Sequence, residues 1–76
     1  MYNLSIIIPL YNEESRLKES LDTLITFLSN RNKKKIETIF VSDGSTDNTN
    51  DLINFFILKN KKKYNLKLIK YKKNIG

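Results

Sequence analysis

Apolar residues fall along this chain in three short blocks separated by two spaced stripes. Leu4-Ser5-Ile6-Ile7-Ile8 is β-branched and nearly continuous, the pattern of a parallel strand covered on both faces. Pro9 is expected to end that strand, because it has no N–H for a ladder hydrogen bond. Asn12 is a candidate helix N-cap, with Glu13 and Glu14 in a first turn whose dipole favours negative charge. Leu17, Leu21, Leu24, Ile25 and Leu28 then recur on one helical face. Polar and basic residues from Ser29 to Asn32 suit the end of that helix. Ile36 to Val41 reads as a second buried strand, and Ser42 to Asp47 as a turn in which Ser45 or Asp47 caps a second helix. That helix carries Leu52, Ile53, Phe56 and Ile57 toward the core. After a charged loop from Asn60 to Asn65, Leu66 to Tyr71 partly alternates and predicts a third, less buried strand.

The predicted fold is α/β, in the order β-α-β-α-β with short connections. Right-handed crossovers then give a parallel sheet ordered 3-2-1. No repeat, linker or low-complexity stretch interrupts it, so residues 1–76 are read as one partial domain. The outer side of the first strand is left open, a liability for folding and solubility.

Composition narrows the chemistry. A chain of 76 residues buries only about 60% of its unfolded surface. It has no Cys and no His, which excludes disulfides, thiolate metal sites and an imidazole base. The longest apolar run, Ile6 to Leu10, is far shorter than a membrane span. Met1-Tyr2-Asn3 lacks the basic start of a secretory signal, and the expected location is cytoplasmic. The net charge of +6 is uneven: residues 1–58 hold six Lys/Arg against eight Asp/Glu, whereas residues 59–76 hold eight Lys and no acid. Such lysines are most simply a solvated surface; the functional alternative is attraction to phosphates or to an anionic membrane face.

Two stretches carry candidate chemistry, Pro9-Leu10-Tyr11-Asn12-Glu13-Glu14 and Ser42-Asp43-Gly44-Ser45-Thr46-Asp47. Each joins a strand to a helix, at the sheet edge where open α/β proteins bind ligands. Gly44 and Gly76 are the only glycines, so neither G-x-G-x-x-G nor a Walker loop is present. Asp43 to Asp51 superficially resembles a calcium loop, but Asn48 stands where the turn glycine is needed and Asn54 where the bidentate Glu belongs. Asp43 has two readings. It caps backbone amides beside a Gly44 at positive φ, or it accepts the ring N–H of a pyrimidine. Tyr11 either covers the strand end or offers a surface for base stacking. Glu13 is at least a first-turn dipole partner.

Taken together, Ile6-Ile7-Ile8-Pro9-Leu10-Tyr11-Asn12-Glu13, Val41-Ser42-Asp43-Gly44-Ser45-Thr46-Asp47-Asn48-Thr49 and Asn74-Ile75-Gly76 resemble the start of a family 2 glycosyltransferase of GT-A fold. Asn12-Glu13-Glu14-x-Arg16-Leu17, the leucine-rich first helix and the lysines before Asn74 are most similar to the dolichyl- or polyprenyl-phosphate glucosyltransferase branch. The resemblance implies the N-terminal half of a Rossmann-like nucleotide-binding domain. It implies that Tyr11 packs on the donor base, that Asp43 binds its N3–H, and that Pro9 and Glu13 line the same pocket. Ser42 departs from the usual Asp pair, but Asp43 matches the base-contacting member.

The resemblance further implies a UDP-sugar donor, with UDP-glucose favoured, and a lipid-phosphate acceptor met at the cytoplasmic face of a membrane. The family's Asp-x-Asp for Mg²⁺ or Mn²⁺ and its acidic base follow the third strand, so 1–76 alone is expected to be inactive, with no catalytic residue and no metal ligand of its own. Transfer needs a base unless the acceptor is already ionised, and a cation for the leaving diphosphate. Two rivals remain. One is a non-catalytic gene fragment or half of a split enzyme. The other is a small basic nucleic-acid binder that uses residues 59–76 with Tyr64 and Tyr71 as stacking platforms.

Overall fold

The computed structural model describes residues 2–72; Asn74-Ile75-Gly76, quoted above for the resemblance, lies outside them. Strand β1 runs Leu4–Leu10, helix α1 Leu17–Ser29, strand β2 Ile36–Asp43, helix α2 Thr49–Asn60 and strand β3 Asn65–Tyr71. Short 3-10 turns, Glu14–Arg16 and Lys33–Lys35, precede α1 and β2. The sheet is ordered β1-β2-β3 and both pairings are parallel. This is the predicted 3-2-1 order, forced by two right-handed crossovers of the same sense.

Pro9 does not end β1. It stays in register opposite Val41, and the strand continues to Leu10 opposite Ser42. The reason is position: β1 is the edge strand, where half of the N–H groups face away from the neighbour and proline is tolerated.

Two crossovers of the same sense place both helices on one face of the sheet. Leu10 from β1, Ile36 and Phe40 from β2, and Leu17, Leu24, Leu28 and Ile53 from the helices form one buried cluster. Ile6, Ile8, Leu66 and Leu68 pack against it from the same sheet face. Phe40 and Phe56 meet edge to face, with centroids 6.1 Å apart; such pairs add about 0.5–1.5 kcal/mol beyond the area they bury. The alternate residues point the other way. Ile7 is 56% exposed and Ile69 39%. The continuous apolar run of β1 therefore has one face covered in this chain rather than two.

Two further expectations change. Leu52 is exposed, and Ile53, with Phe56 and Ile57 beside it, carries the contact of α2 with the core. Tyr64, expected in a charged loop, is buried in the core cluster, so it offers no stacking face to a nucleic acid.

The one-sided core makes a measurable contrast. Ile53→Ala should lower unfolding free energy by about 2–5 kcal/mol, and Ile7→Ala on the bare face by less than about 1 kcal/mol. Equal shifts in urea-denaturation midpoints for the two variants would contradict a single covered face.

Candidate functional site

Parallel strands end together, and here all three ends contribute to one cleft of about 510 Å³. The β1 end supplies Pro9, Leu10, Tyr11 and, just beyond, Glu13; the β2 end supplies Val41 and Asp43; the β3 end supplies Tyr71. All four residues named from the sequence, Pro9, Tyr11, Glu13 and Asp43, are thus brought together. Tyr11 and Tyr71 are each about half exposed, at 49% and 46%, so both rings are available to a flat ligand.

Tyr71 and Val41 were not anticipated in the cleft. The signal for them was register. Asp43 stands opposite Tyr71 and Val41 opposite Pro9, and alternation puts all of them on the bare sheet face. Asp43 is the last residue of β2, and the chain leaves it through Gly44 at φ 75°, as the turn required. The Gly44 N–H donates to the Tyr71 carbonyl at 3.0 Å, which extends the β2–β3 pairing to the rim of the cleft. Glu13 faces the cleft while its Oε1 accepts from the Arg16 guanidinium, an ion pair one turn along.

The remaining polar residues of the two turns hold one turn against the other. Asn12 is not an N-cap of α1, which begins only at Leu17. It sits at φ 49°, the left-handed region that asparagine tolerates better than most residues. There its Oδ1 accepts from the Thr46 N–H at 2.7 Å and the Asp47 N–H at 3.3 Å. In return the Asn12 N–H donates to Ser45 Oγ at 3.1 Å and the Glu13 N–H to Thr49 Oγ1 at 2.9 Å. The Glu14 N–H donates to Asp47 Oδ2, and the Asn48 N–H to Glu14 Oε1, both at 3.2 Å.

Asp47 also serves the start of α2. Its Oδ1 accepts from the Thr49 N–H at 2.9 Å and from the Thr49 hydroxyl. The N-cap position itself, expected at Ser45 or Asp47, falls to Asn48, whose side chain makes no capping bond, so Asp47 holds the first helical N–H from one residue further out than the cap. The Thr49 hydroxyl is the main reason its carboxyl titrates below the ordinary value; backbone N–H donors of Thr49 and Glu14 act in the same direction, against partial desolvation.

A divalent cation needs several converging oxygen or nitrogen ligands. Among the described residues, no group of three or more Asp, Glu, His or Cys comes together in a way that could hold one. The cleft is suited to an aromatic, hydrogen-bonding ligand instead. Nor, among the described residues, is any helix long and apolar enough to cross a membrane.

Residues 5–76 match the family model described as Glycosyl transferase family 2. Dolichyl-phosphate beta-glucosyltransferase of Dictyostelium discoideum is 42% identical over 77 residues, covering 96% of this chain and 23% of that protein. The Saccharomyces cerevisiae protein of the same name is 38% identical over 76 residues, covering 96% of this chain and 22% of its own length. Among solved structures, S. aureus TarS 1-349 in complex with UDP superposes with a TM-score of 0.77 at 32% identity, over 97% of this chain and 20% of that one. Mannosyltransferase PcManGT from Pyrobaculum calidifontis, in complex with GDP-Man and Mn2+, gives a TM-score of 0.83 at 25% identity, over 96% of this chain and 20% of that one. The chain thus spans about a fifth to a quarter of the length of these relatives.

Two measurements test the lacing. Asn12→Gly removes the side chain but keeps the left-handed backbone, whereas Asn12→Ala loses both; the alanine variant should be less stable than the glycine variant by about 1 kcal/mol. Equal stability would show that the backbone of Asn12 carries no strain. For Asp47 the folded pKa lies below the unfolded one, so the unfolded chain binds more protons in acid. Its contribution is complete above the ordinary carboxyl value, about 3.9, and disappears as pH falls through the depressed folded value. Thermal midpoints followed down through that range should fall less steeply for Asp47→Asn than for the unaltered chain.

Proposed function

Because this chain belongs to glycosyl transferase family 2, we propose that its cleft holds the base and ribose of a UDP-sugar during glycosyl transfer. One observation carries the reading: Tyr11, just past the end of β1, and Asp43, the last residue of β2, line a single cleft. On this assignment the Tyr11 ring packs on the uracil and the Asp43 carboxylate accepts its N3–H. Pro9 and Glu13 complete the walls, and the ring of Tyr71 bounds the same space. The TarS complex with UDP supports a uridine nucleotide. The dolichyl-phosphate glucosyltransferases support glucose as the sugar and a lipid phosphate as acceptor.

The chemistry divides accordingly. An ionised phosphate oxygen of the acceptor would attack the anomeric carbon while the bond from that carbon to the UDP oxygen breaks, and UDP leaves with the electron pair. Such an acceptor needs no proton removed. This chain's residues bind and orient the nucleotide, which fixes the reacting carbon in place. A divalent cation supplies charge neutralisation for a departing diphosphate, and the PcManGT complex contains Mn2+. The described residues do not fit such an ion, so its ligands are assigned to other parts of the complete enzyme. The segment alone is accordingly a nucleotide-binding unit that transfers no sugar. The complete enzyme would work on the cytoplasmic face of the membrane that carries its acceptor.

Asp43→Ala should weaken UDP binding by about 1.5–3 kcal/mol, the range for a hydrogen bond to a charged group. CDP offers an acceptor at N3 where UDP offers a donor, so it should bind the unaltered protein more weakly than UDP. Calorimetry giving the same UDP affinity for Asp43→Ala, or no preference of UDP over CDP, would refute the assigned role.

A further inference from the structure

At the opposite end of the sheet, where strands begin, the loop before β2 meets the loop before β3. They enclose a second cleft, of about 450 Å³. Arg31, Lys33 and Lys34 enter it from the first loop, Lys61, Lys62 and Lys63 from the second. The two triads are far apart in sequence. They meet because parallel pairing sets Glu37 beside Asn65, so both loops must deliver their chains to the same edge.

Among the described residues, no carboxylate lines this cleft. Two ion pairs occur among the described residues, Arg16–Glu13 and Lys18–Asp22, and neither uses any of its six cations. The backbone that carries the cations is held in place. Asn65 Nδ2 donates to the carbonyls of Lys33 at 3.1 Å and Ile36 at 3.2 Å, and Asn32 Oδ1 accepts from the Lys34 N–H at 3.3 Å. Tyr64 is buried against the core beneath, with the Lys33 ammonium 5.5 Å from its ring centroid.

A concavity lined by one sign of charge focuses potential. Arg31 lies over the Phe27 ring at 4.5 Å and Lys33 over Tyr64, and the cations around the cleft repel one another until an anion joins them. Ammonium and guanidinium groups match phosphate oxygens. A singly charged anion leaves most of the repulsion in place, whereas several linked phosphates remove it. We propose that this cleft is a binding site for a polyphosphate-bearing anion, either free in solution or carried on a lipid headgroup. The site is separate from the nucleotide cleft and does not depend on the reading given to it. A nucleic acid fits less well, because Tyr64, the aromatic residue lining the cleft, is buried and offers no stacking face.

The experiment uses the 76-residue chain and two charge-matched variants, with circular dichroism confirming that each folds. One variant carries Lys→Gln at Lys34, Lys61, Lys62 and Lys63; the other carries Lys→Gln at Lys18, Lys67, Lys70 and Lys72. Tripolyphosphate binding is followed by calorimetry. Lipid binding is followed by co-sedimentation with phosphatidylcholine vesicles, with and without phosphatidylinositol bisphosphate. The first variant should bind about 10–30-fold more weakly and the second within about threefold of the unaltered chain, with affinity falling as salt rises. Asp43→Ala should leave this binding unchanged. Binding of tripolyphosphate assigns a soluble anion; binding of the phosphoinositide vesicles alone assigns a headgroup. Absence of both, equal losses in the two variants, or tighter binding of a single-stranded oligonucleotide of matched charge would overturn the proposal.

Discussion

The site depends on hydrogen bonds that run between two surface turns rather than within either. A strand-to-helix turn rich in Asn, Ser, Thr and Asp has little apolar area with which to offset the entropy of ordering it. Here each turn supplies what the other lacks. Asn12 Oδ1 takes the backbone N–H groups at the start of the Thr46–Asp47 segment, and Ser45, Asp47 and Thr49 take those of Asn12, Glu13 and Glu14. The donors include backbone groups next to the first helical turns, which have no partner within their own helices. The exchange satisfies them and at the same time fixes the separation of the β1 and β2 ends. Tyr11 and Asp43 hang from those ends, so the width of the cleft follows from the lacing.

Strand order has a second consequence, for charge. Two crossovers of the same sense place both helices on one face and leave the other bare, and parallel pairing makes all strands begin at one edge and end at the other. The loops that close the two edges differ in charge. The turns after β1 and β2 carry acids and hydroxyls, and the loops before β2 and β3 carry lysines, although Lys70 lies near the edge where strands end and Glu37 near the edge where they begin. Asp43, Asp47 and Glu13 belong to the first edge, and Lys33, Lys34 and Lys61 to Lys63 to the second. The polarity of the parallel sheet thus sets a cleft lined by Glu13 and Asp43 at one end and a lysine-lined cleft at the other. Mean composition, with its net charge of +6, conceals that separation.

How much of this the sequence disclosed depended on whether the governing interaction was local. The leucine stripe from Leu17 to Leu28, the order of the elements and the positive φ at Gly44 follow from periodicity and turn chemistry over a few residues. Convergence of Tyr11 and Asp43 followed from topology, since strand ends in a parallel sheet share an edge. Asn12 was misread as an N-cap because its true partners, Thr46 and Asp47, lie far along the chain and leave no trace in its neighbours. Pro9 was misread because its effect depends on whether its strand is at an edge. Tyr64 sits among lysines, and only the packed fold shows that its ring lies inward.

The motif residues therefore divide into two sets that sequence alone runs together. Tyr11, Asp43, Pro9 and Tyr71 present surface to the cleft, whereas Asn12, Glu14, Ser45, Asp47 and Thr49 spend their polar atoms on each other. Members of the second set affect a ligand only through the position of the first. This division also bears on Ser42, which replaces the first acid of the family's usual pair. Its side chain points to the covered face, is fully buried and donates to Ser45 Oγ at 2.8 Å. A carboxylate there would have to be desolvated beneath the turn, while a hydroxyl fits the space and steadies Ser45, which in turn accepts the Asn12 N–H. On this geometry the substitution supports the lacing rather than diminishing the cleft, because Asp43, one residue on, faces the opposite side of the sheet.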